Sequence, residues 1–501
     1  MTRLLLVCGD QLFPVAEYRR AFPIDSVAEI VMVEDQELCS RRPLHQQKLT
    51  LVLAAMRHQA VALENAGYTV QYARLGDAQN LARMLKARKR ATSATTLATF
   101  AVANVGQRRW IQAAADTAKL DLSYASTPMF LTSDETFESL TGKRRPLQMG
   151  RFYQAQRKRL NVLVTDDGEP RGERWSFDED NRRALPAKQV VPDLPEIELD
   201  PITAEVADEV AARFSKHPGT AHELWLPTER RGALRWLRTF LDERLVGFGT
   251  YEDAISTRSA TLFHSALSPL LNLGLVTPAE VLERVLAHAE TNTVPINDLE
   301  GFVRQLIGWR EFIRGVYVTD GAAMRAANQR NQRRLPGPGW RAGTLGLPPY
   351  DDAIATLERY GWNHHIDRLM VIANLMNLAE LHPHSVYDFF QDNYLDAYDW
   401  VMVPNVYGMG LNSDDNTFAT KPYICGSNYW LKMSDYKKGD WCAVVDGLYW
   451  RFVDQHRETL ASNPRTAVMP RNLDRLKPER RSQIFSAADR FLTEHTTEAG
   501  R

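Results

Sequence analysis

The chain has 501 residues, which is more than one hydrophobic core usually organises and predicts about two to four domains. Apolar residues make up 44% of it and charged residues 25%, which excludes a largely disordered protein. The 61 basic and 62 acidic residues nearly cancel, so any surface for nucleic acid must be a local patch. The absence of a long apolar run and the small number of cysteines favour a cytoplasmic location without membrane attachment, and we expect a monomer.

The first 135 residues alternate short apolar runs with helical stretches. Five runs predict strands, at Arg3–Cys8, Glu29–Val33, Thr69–Leu75, Thr95–Val102 and Leu120–Ala125. This alternation is typical of a Rossmann-like, doubly wound parallel sheet, so residues 1–135 are predicted to form an α/β domain. Gly9-Asp10-Gln11 ends the first strand but is not G-x-G-x-x-G, which argues against a nicotinamide dinucleotide.

A polar, proline-rich connector is predicted at residues 136–225, because no long apolar period runs through it. Its first part, Thr141–Leu160, has seven basic residues and no acidic residue. The stretch is either a solvated face or a patch that contacts phosphate groups, and both interpretations stay open.

From residue 226 onwards the 3.6-residue period of amphipathic helices predominates, so residues 226–501 are predicted to form a large all-α domain. The predicted helices are Leu234–Leu245, Ser265–Leu273, Ala279–Ala289, Leu299–Tyr317, Asp352–Tyr360, Ile366–Leu381 and Ser482–Thr493.

Four segments of this region carry residues suited to chemistry: Gly301–Tyr317, Met324–Arg341, Trp362–Asn374 and Asp396–Gly410. The first two combine arginine, which can hold phosphate, with tryptophan, which can stack on a base. A charged surface helix and a disordered basic loop are the respective alternatives. The third contains His364 and His365, which point about 100° apart on a helix, so one can serve proton transfer while the other packs. The fourth is an aromatic, acidic loop of the kind that often carries function.

Several motifs in combination resemble those of the prokaryotic (6-4) photolyases, the iron–sulfur bacterial cryptochrome and photolyase family, and the resemblance covers nearly the whole chain. The motifs are Gly9-Asp10-Gln11-Leu12, Arg304–Tyr317, His364-His365-Ile-Asp-Arg368-Leu-Met, Asp396-Ala-Tyr, Lys421-Pro-Tyr423 and Met433-Ser-Asp-Tyr436.

The resemblance implies that the helical domain binds FAD and that the α/β domain binds an antenna chromophore. The residues it points to for FAD are His264, Ser265, Leu267, Ser268, Arg310, Arg368, Asn374, Asp396 and Met402. The antenna of the family is usually 6,7-dimethyl-8-ribityllumazine, which would lie near Asp10 and Glu34.

The resemblance also implies a site for ultraviolet-damaged DNA. His364 and His365 are the candidates for the general acid of repair. Residues expected to contact the flipped-out lesion are Gln305, Trp309, Tyr423 and Tyr429. Asp178 and Asp253 are expected to hold a magnesium ion near the DNA, because oxygen ligands suit magnesium.

The sequence departs from the family at three places. Pro349, Lys437 and Asp440 stand where the family has cysteines, so no iron–sulfur cluster is expected, since a cluster needs four thiolates. Phe389-Phe390 replaces the usual Trp-Tyr electron relay, and Trp340, Trp362 and Trp400 are the remaining candidates for an electron path. Met402, which would face flavin N5, replaces a polar residue.

Two functions follow from this pattern. The first is light-dependent DNA repair, of the (6-4) type, which the histidine pair and the lesion-side residues favour. The alternative is a cryptochrome-type blue-light photoreceptor without repair activity, which Met402 and Phe389-Phe390 favour. A light-independent flavoprotein ranks third.

Overall fold

The computed structural model describes residues 3–77, 80–142, 144–414 and 416–498. Five parallel strands form one sheet in the spatial order β3-β2-β1-β4-β5. They are β1 (Arg3–Leu6), β2 (Glu29–Val33), β3 (Val70–Ala73), β4 (Thr96–Phe100) and β5 (Asp121–Ala125). The order reverses between β1 and β4, and ligands of such sheets bind beside the carboxyl ends of the strands at that point.

Helices surround and follow the sheet. Up to residue 225 the α-helices are Val15–Ala21, Gln36–Ser40, Gln46–Asn65, Leu81–Thr92, Val105–Ala118, Asp134–Thr141, Met149–Leu160 and Pro201–Arg213. Short 3₁₀ turns lie at Ile24–Ser26, Asp178–Asn181 and Ala221–Glu223.

Two of these helices, Met149–Leu160 and Pro201–Arg213, lie wholly in the segment that was predicted to be a polar connector. Pro201–Arg213 begins with a cap, because the Asp200 side chain accepts hydrogen bonds from the N–H groups of Ile202 and Thr203. The basic stretch is also partly internal. Arg157, in the helix Met149–Leu160, is fully buried and donates to the main-chain oxygen of Trp175 at 3.0 Å. This arginine therefore stabilises the fold and is not available to phosphate.

The rest of the chain is helix-rich, which together with the parallel sheet confirms the predicted fold class. Its α-helices are Arg230–Glu243, Ser268–Leu273, Pro278–Thr291, Ile296–Val303, Arg310–Ala326, Pro338–Ala342, Pro348–Tyr360, Asn374–Leu378, Pro383–Asn393, Asp399–Val403, Ser427–Met433, Trp441–Gln455, Arg457–Ser462, Val468–Asp474 and Pro478–His495. Two short strands, β6 (Arg334–Pro336) and β7 (Thr496–Glu498), pair antiparallel.

Three π-helical turns interrupt this region, at Arg304–Trp309, Asp367–Ala373 and Pro404–Gly410. Such turns are rare and cluster at functional sites, and a 3.6-residue period in the sequence does not reveal them. The predicted helix Ser265–Leu273 begins three residues late, at Ser268. The cause is Ala266, whose φ of 50° is left-handed and incompatible with a right-handed helix.

The apolar core is continuous across the predicted boundary at residue 225. One cluster of buried side chains includes Leu5 of the sheet, Leu51 of the helix Gln46–Asn65, and Leu237 and Leu271 of the helical region. A second cluster lies wholly after residue 102 and contains Trp430 and Phe452. The division at residues 135 and 225 stays a prediction. In the part of the chain that is described, every helix is too short or too polar to cross a bilayer.

A substitution at Gly447 tests how closely the helices Trp441–Gln455 and Pro478–His495 pack. A Cβ there would collide with the main-chain oxygen of Ile484 in the helix Pro478–His495. We expect Gly447→Ala to lower the free energy of unfolding by about 1–3 kcal/mol, because backbone must move. Gly106→Ala is the matched control: its Cβ meets nothing within 4 Å. That variant should be neutral or stabilising by up to about 1 kcal/mol. Denaturant titration measures both, and equal effects would contradict the packing described here.

Candidate functional site

A buried, bidentate ion pair joins Arg368 to Asp396. Two guanidinium nitrogens donate to the two carboxylate oxygens at 2.9 and 3.1 Å, and the Ser268 hydroxyl adds a hydrogen bond at 2.6 Å. Burial alone would raise the pKa of Asp396, but Arg368 and Ser268 hold it below its usual value. The carboxylate is therefore charged at neutral pH.

Arg310 is connected to this pair through the amide of Asn272. The amide accepts a hydrogen bond from Arg310 Nη2 at 3.2 Å and donates one to the main-chain oxygen of Asp396 at 2.9 Å. The Arg310 guanidinium lies 4.7 Å from the ring centre of Phe130 and 4.8 Å from that of Trp400. Its Nη1 is buried and finds no partner among the described residues. Burial lowers the pKa of Arg310 to about 10, so it stays cationic and suits an anionic group.

Two buried imidazoles stack beside the pair. The ring centres of His264 and His364 are 5.0 Å apart with planes at 8°, and the Trp362 ring lies 6.4 Å from His264. Burial, reinforced by neighbouring positive charge, lowers the pKa of both histidines, to about 3 for His364. Both rings are therefore neutral. Within the described chain, His264 Nε2, His364 Nδ1 and Trp362 Nε1 are buried without a hydrogen-bond partner.

Asp367 follows His364 by three residues and contacts it. The Asp367 Oδ2 atom lies 3.1 Å from His364 Nε2. Burial raises the pKa of Asp367 to about 7, against the opposing effect of His365 and Arg368. The usual order of the two pKa values is thus reversed. Between these values the pair holds one proton, which resides on the carboxyl group.

His365 has a different environment although it is the next residue. Its side chain is 45% exposed, and its Nε2 lies 3.5 Å from Asp253 Oδ1. Desolvation opposes protonation, but Asp253 and Glu252 together raise the pKa of His365 above its usual value. Of the two adjacent histidines, His365 is therefore the one that readily carries a proton.

Glu252 holds Gln305, one of the residues expected to contact the lesion. Its buried carboxylate accepts hydrogen bonds from Gln305 Nε2 and, at 3.2 Å, from Arg304 Nη2. Burial raises the pKa of Glu252, although Arg304 opposes the shift. The π-helical turn Arg304–Trp309 supplies both donors, so the wider turn helps to place Gln305.

The two carboxylates predicted to hold magnesium lie close to arginine and histidine side chains of the protein itself. Asp178 pairs with Arg304 at 3.2 Å and with Arg182, and Asp253 approaches His365. Over the described ranges, no three His, Cys, Asp or Glu side chains cluster closely enough to hold a metal ion. The magnesium site stays a prediction.

Trp309, Tyr423 and Tyr429 are half-buried and come from a π-helical turn, a loop and a short helix, respectively. The Trp309 ring lies 6.0 Å from that of Phe418, and the Lys421 ammonium lies 5.8 Å from the Tyr423 ring centre. Burial and the charge of Asp253 raise the pKa of Tyr429, so its hydroxyl stays protonated and can donate.

The remaining residues predicted to bind the cofactor either form hydrogen bonds with the main chain of the protein or are buried among other side chains. The Ser265 hydroxyl accepts from the N–H of Leu267 at 3.4 Å. The Asn374 amide both accepts from and donates to the main chain of Cys425, at 2.9 and 3.2 Å. Met402 is 3% exposed. Their roles toward a cofactor stay predictions.

Glu34 and Asp10, the two residues predicted to lie near an antenna, differ in how many hydrogen bonds they already accept from the protein. Glu34 accepts four hydrogen bonds, from Arg57 Nε and Nη2, the Tyr72 hydroxyl and the Leu75 N–H. A carboxylate accepts about four, so little capacity is left for a ligand. Asp10 follows β1 at the sheet's reversal point and accepts one hydrogen bond, from Gln107 at 2.7 Å. Burial raises its pKa to about 6.

The tryptophans proposed for electron transfer have separate surroundings. Trp340 packs 5.5 Å from Tyr350, whereas Trp400 packs 5.0 Å from Phe130. As far as the chain is described, no two of Trp340, Trp362 and Trp400 are in ring contact. The electron path stays a prediction.

Several residues of this site were not found by sequence reasoning. Asp367 had a usable signal, since it follows His364 at helical spacing, and Glu252 precedes the predicted Asp253. Asn272 had none. Lys48, in the helix Gln46–Asn65, donates to the main-chain oxygen of Ala397 at 2.8 Å, and burial lowers its pKa to about 8. Only the fold brings a lysine of the α/β part to the residue after Asp396.

Asp396→Asn tests the ion pair. The variant leaves the Arg368 guanidinium buried and unpaired, so we expect a loss of about 3–5 kcal/mol of stability at pH 7. Because the pKa of Asp396 is lowered by folding, this difference should shrink as the pH falls below the pKa of about 4 of an unfolded aspartate. Asp489→Asn, in an exposed pair with Arg451, is the control and should cost about 0–1 kcal/mol. Equal losses would contradict a buried pair.

Comparison with known proteins gives consistent results. Residues 5–226 match the family model described as deoxyribodipyrimidine photo-lyase-related protein. A (6-4) photolyase of Agrobacterium fabrum is 32% identical over 510 aligned residues, which cover 98% of this chain and 99% of that protein. An uncharacterized protein of Acanthamoeba polyphaga mimivirus is 52% identical over 85 residues, which are 17% of this chain and 69% of that protein.

The fold is also that of a protein of known structure. The crystal structure of a bacterial class III photolyase from Agrobacterium tumefaciens superposes with a TM-score of 0.58 and 16% identity, over 98% of both chains. That similarity concerns the fold. The sequence identity to the (6-4) photolyase extends over nearly the full length of both proteins and therefore shows common family membership. This chain belongs to the family of the bacterial (6-4) photolyases.

Proposed function

We propose that this protein repairs ultraviolet-damaged DNA in a reaction driven by blue light, with FAD as its cofactor and the (6-4) pyrimidine photoproduct as its lesion. Family membership supports repair of this kind. The observation that carries the proposal is the pair of unlike histidines: a buried, neutral His364 and a half-exposed His365 whose protonated form Asp253 stabilises.

Buried polar atoms without partners support a bound cofactor. Arg310 Nη1, His264 Nε2, His364 Nδ1 and Trp362 Nε1 all lack a hydrogen bond within the described chain. Each such group costs about 1–3 kcal/mol unless a ligand or water satisfies it. FAD offers phosphate oxygens for Arg310 and ring acceptors and donors for the others, so the residues present fit this cofactor.

The charged residues would hold and tune the flavin. Reduced FAD, when bound, supplies the light-driven electron for repair. Arg310 would bind phosphate, and the Arg368–Asp396 pair would set the electrostatic field beside the flavin ring. Met402 would present a thioether there, which cannot donate a hydrogen bond.

His365 is the proposed proton donor of repair. The oxygen that migrates between the two damaged bases needs a proton that is first given and then recovered. Asp253 and Glu252 favour the His365 cation, and its exposure allows contact with a substrate. His364 would stay neutral and position its neighbour.

The lesion would enter flipped out of the duplex, which costs a few kcal/mol that damage reduces. Gln305, held by Glu252, would hydrogen-bond the flipped bases. Trp309, Tyr423 and Tyr429 would pack against them at the mouth of the site.

The further cofactors are narrower proposals. An antenna such as 6,7-dimethyl-8-ribityllumazine would bind near Asp10 at the carboxyl ends of the strands, and Glu34 would support that site from within the fold. Magnesium would need Asp178 and Asp253 to release their cationic partners. Pro349, Lys437 and Asp440 cannot supply thiolates, so we propose no iron–sulfur cluster.

A cryptochrome-type photoreceptor is the second candidate, favoured by the residues in place of the usual relay. The ring centres of Phe389 and Phe390 lie 5.8 Å apart. The Phe390 ring stacks on that of Tyr394 with 5.2 Å between the ring centres. Phenylalanine is a poor redox relay, so electrons would reach the flavin by another path or slowly.

Illumination of a short duplex with one (6-4) photoproduct, in the presence of reductant, tests the proposal. We expect the parent protein to restore the bases. His365→Ala should slow repair by about 10²–10⁴-fold, the usual contribution of a positioned acid, and keep the flavin absorbance. His222→Ala, an exposed histidine paired with Asp208, is the control. A parent protein that binds FAD but restores nothing would favour the photoreceptor instead.

Asp367→Asn tests the reversed proton pair without any cofactor. In the parent, the folded pair and the unfolded chain each hold one proton between pH 4 and 6.5, so this pair adds almost no pH dependence. In the variant only the unfolded chain protonates His364 in that range. We expect its stability to fall by up to about 1.4 kcal/mol per pH unit below pH 6.5, relative to the parent. Parallel profiles from pH-dependent unfolding would contradict the pairing.

A further inference from the structure

A groove rich in arginine lies between two surface helices, Arg230–Glu243 and Pro278–Thr291. Its volume is about 690 Å³. Five arginines line it, and no acidic side chain does: Arg230, Arg231, Arg235, Arg238 and Arg284. We call this feature the arginine groove. In a chain with a net charge of −1, such a concentration of one sign is local.

Two carboxylates pair with arginines of the arginine groove. Glu280 binds Arg230 at 2.8 and 2.9 Å and Arg284 at 3.2 Å. Glu229 lies 3.3 Å from Arg231. These two carboxylates pair with three of the five guanidinium groups, and Arg235 and Arg238 pair with neither.

Arg235 and Arg238 are the exposed members without a partner. Throughout the described residues neither makes an ion pair or a hydrogen bond. Arg231, Arg235 and Arg238 share one helix face by their spacing, and like charges at such spacing destabilise a helix by about 0.2–0.5 kcal/mol per pair. A bound anion would remove this repulsion.

The arginine groove is separate from the candidate site. The inner face of the same helix carries Trp236, which is buried and donates to the main-chain oxygen of Ser265 at 2.9 Å. The exposed arginines flank this residue on the outer side. An anion in the groove would therefore contact a different surface from the one near His365.

The groove favours a ligand held by charge. Leu237 and Leu241, which form part of its floor, are only 0% and 6% exposed, whereas Leu234 is half-buried and Ala287 is exposed. The accessible apolar side chains of the lining are thus two, beside five arginines, which favours an anion over an amphipathic helix as the partner. Guanidinium forks match phosphate groups, and Arg230 to Arg238 span about 12 Å of helix. Over that length one DNA strand presents about three or four phosphates.

We propose that the arginine groove binds the phosphate backbone of DNA outside the lesion site. The choice of DNA rests on the proposed function, whereas the affinity for a chain of phosphates rests on the groove alone. Arg235 and Arg238 would each neutralise one phosphate, and Arg231 and Arg284 would flank them.

The salt dependence of binding to a long undamaged duplex tests this. The logarithm of the association constant falls linearly with the logarithm of the salt concentration. The steepness of this line decreases by about 0.9 for each phosphate that the protein no longer neutralises. We expect the double variant Arg235→Ala, Arg238→Ala to lower the slope by about 1.8. The control is Arg90→Ala, Arg490→Ala, which removes the same charge from exposed positions on two other helices. Melting temperatures of both variants verify folding.

An unchanged slope, or an equal fall in the control, would overturn the proposal. A loss of affinity for inorganic polyphosphate without any change for DNA would overturn DNA as the ligand. Repair of a lesion in a short oligonucleotide is measured separately and should be unaffected in the groove variant. If the parent shows no repair while the slope still falls by about 1.8, the arginine groove stands and the proposed function fails.

Discussion

The cost of placing charge inside a protein governs this site. Arg368 and Asp396 can be buried together only because each satisfies the other bidentately, while Ser268 donates to the carboxylate and the main-chain oxygen of Asn363 accepts from Arg368 Nε. That requirement brings together a π-helical turn, a short helix and an irregular loop. Asn272 then extends the same network to Arg310. One satisfied ion pair thus determines where three separate parts of the chain must meet.

The same balance of desolvation and charge gives the two adjacent histidines opposite protonation behaviour. His364 is surrounded by another imidazole and by Arg368, so it remains neutral. His365, one residue on, reaches carboxylates and solvent. Neighbours in the sequence acquire opposite protonation because the helix turns them toward different surroundings. A site that needs both a fixed neutral group and a mobile proton can be built from one dipeptide in this way.

Much of the architecture could be predicted from sequence because strong periodicities express it. The strand Glu29–Val33 was predicted to its limits, and the helix predicted at Ala279–Ala289 lies within the observed helix Pro278–Thr291. The helix Pro201–Arg213 was missed although Asp200 and Pro201 form an ordinary start signal. Within the site, Arg368 and Asp396 were each expected to serve the cofactor, and the structure joins them in an ion pair. Asn272 and Lys48 owe their roles to contacts distant in sequence, which local patterns do not encode, whereas Asp367 follows His364 at helical spacing and could have been found.

The continuous core has a consequence for light capture. Leu51 of the α/β part and Leu237 of the helical part belong to one packed cluster, and Lys48 ties the first part to the residue after Asp396. Two segments joined in this way cannot rotate against each other without breaking apolar contacts. Chromophores carried by the two segments would therefore keep a constant separation and mutual orientation, and transfer of excitation between them depends on both quantities.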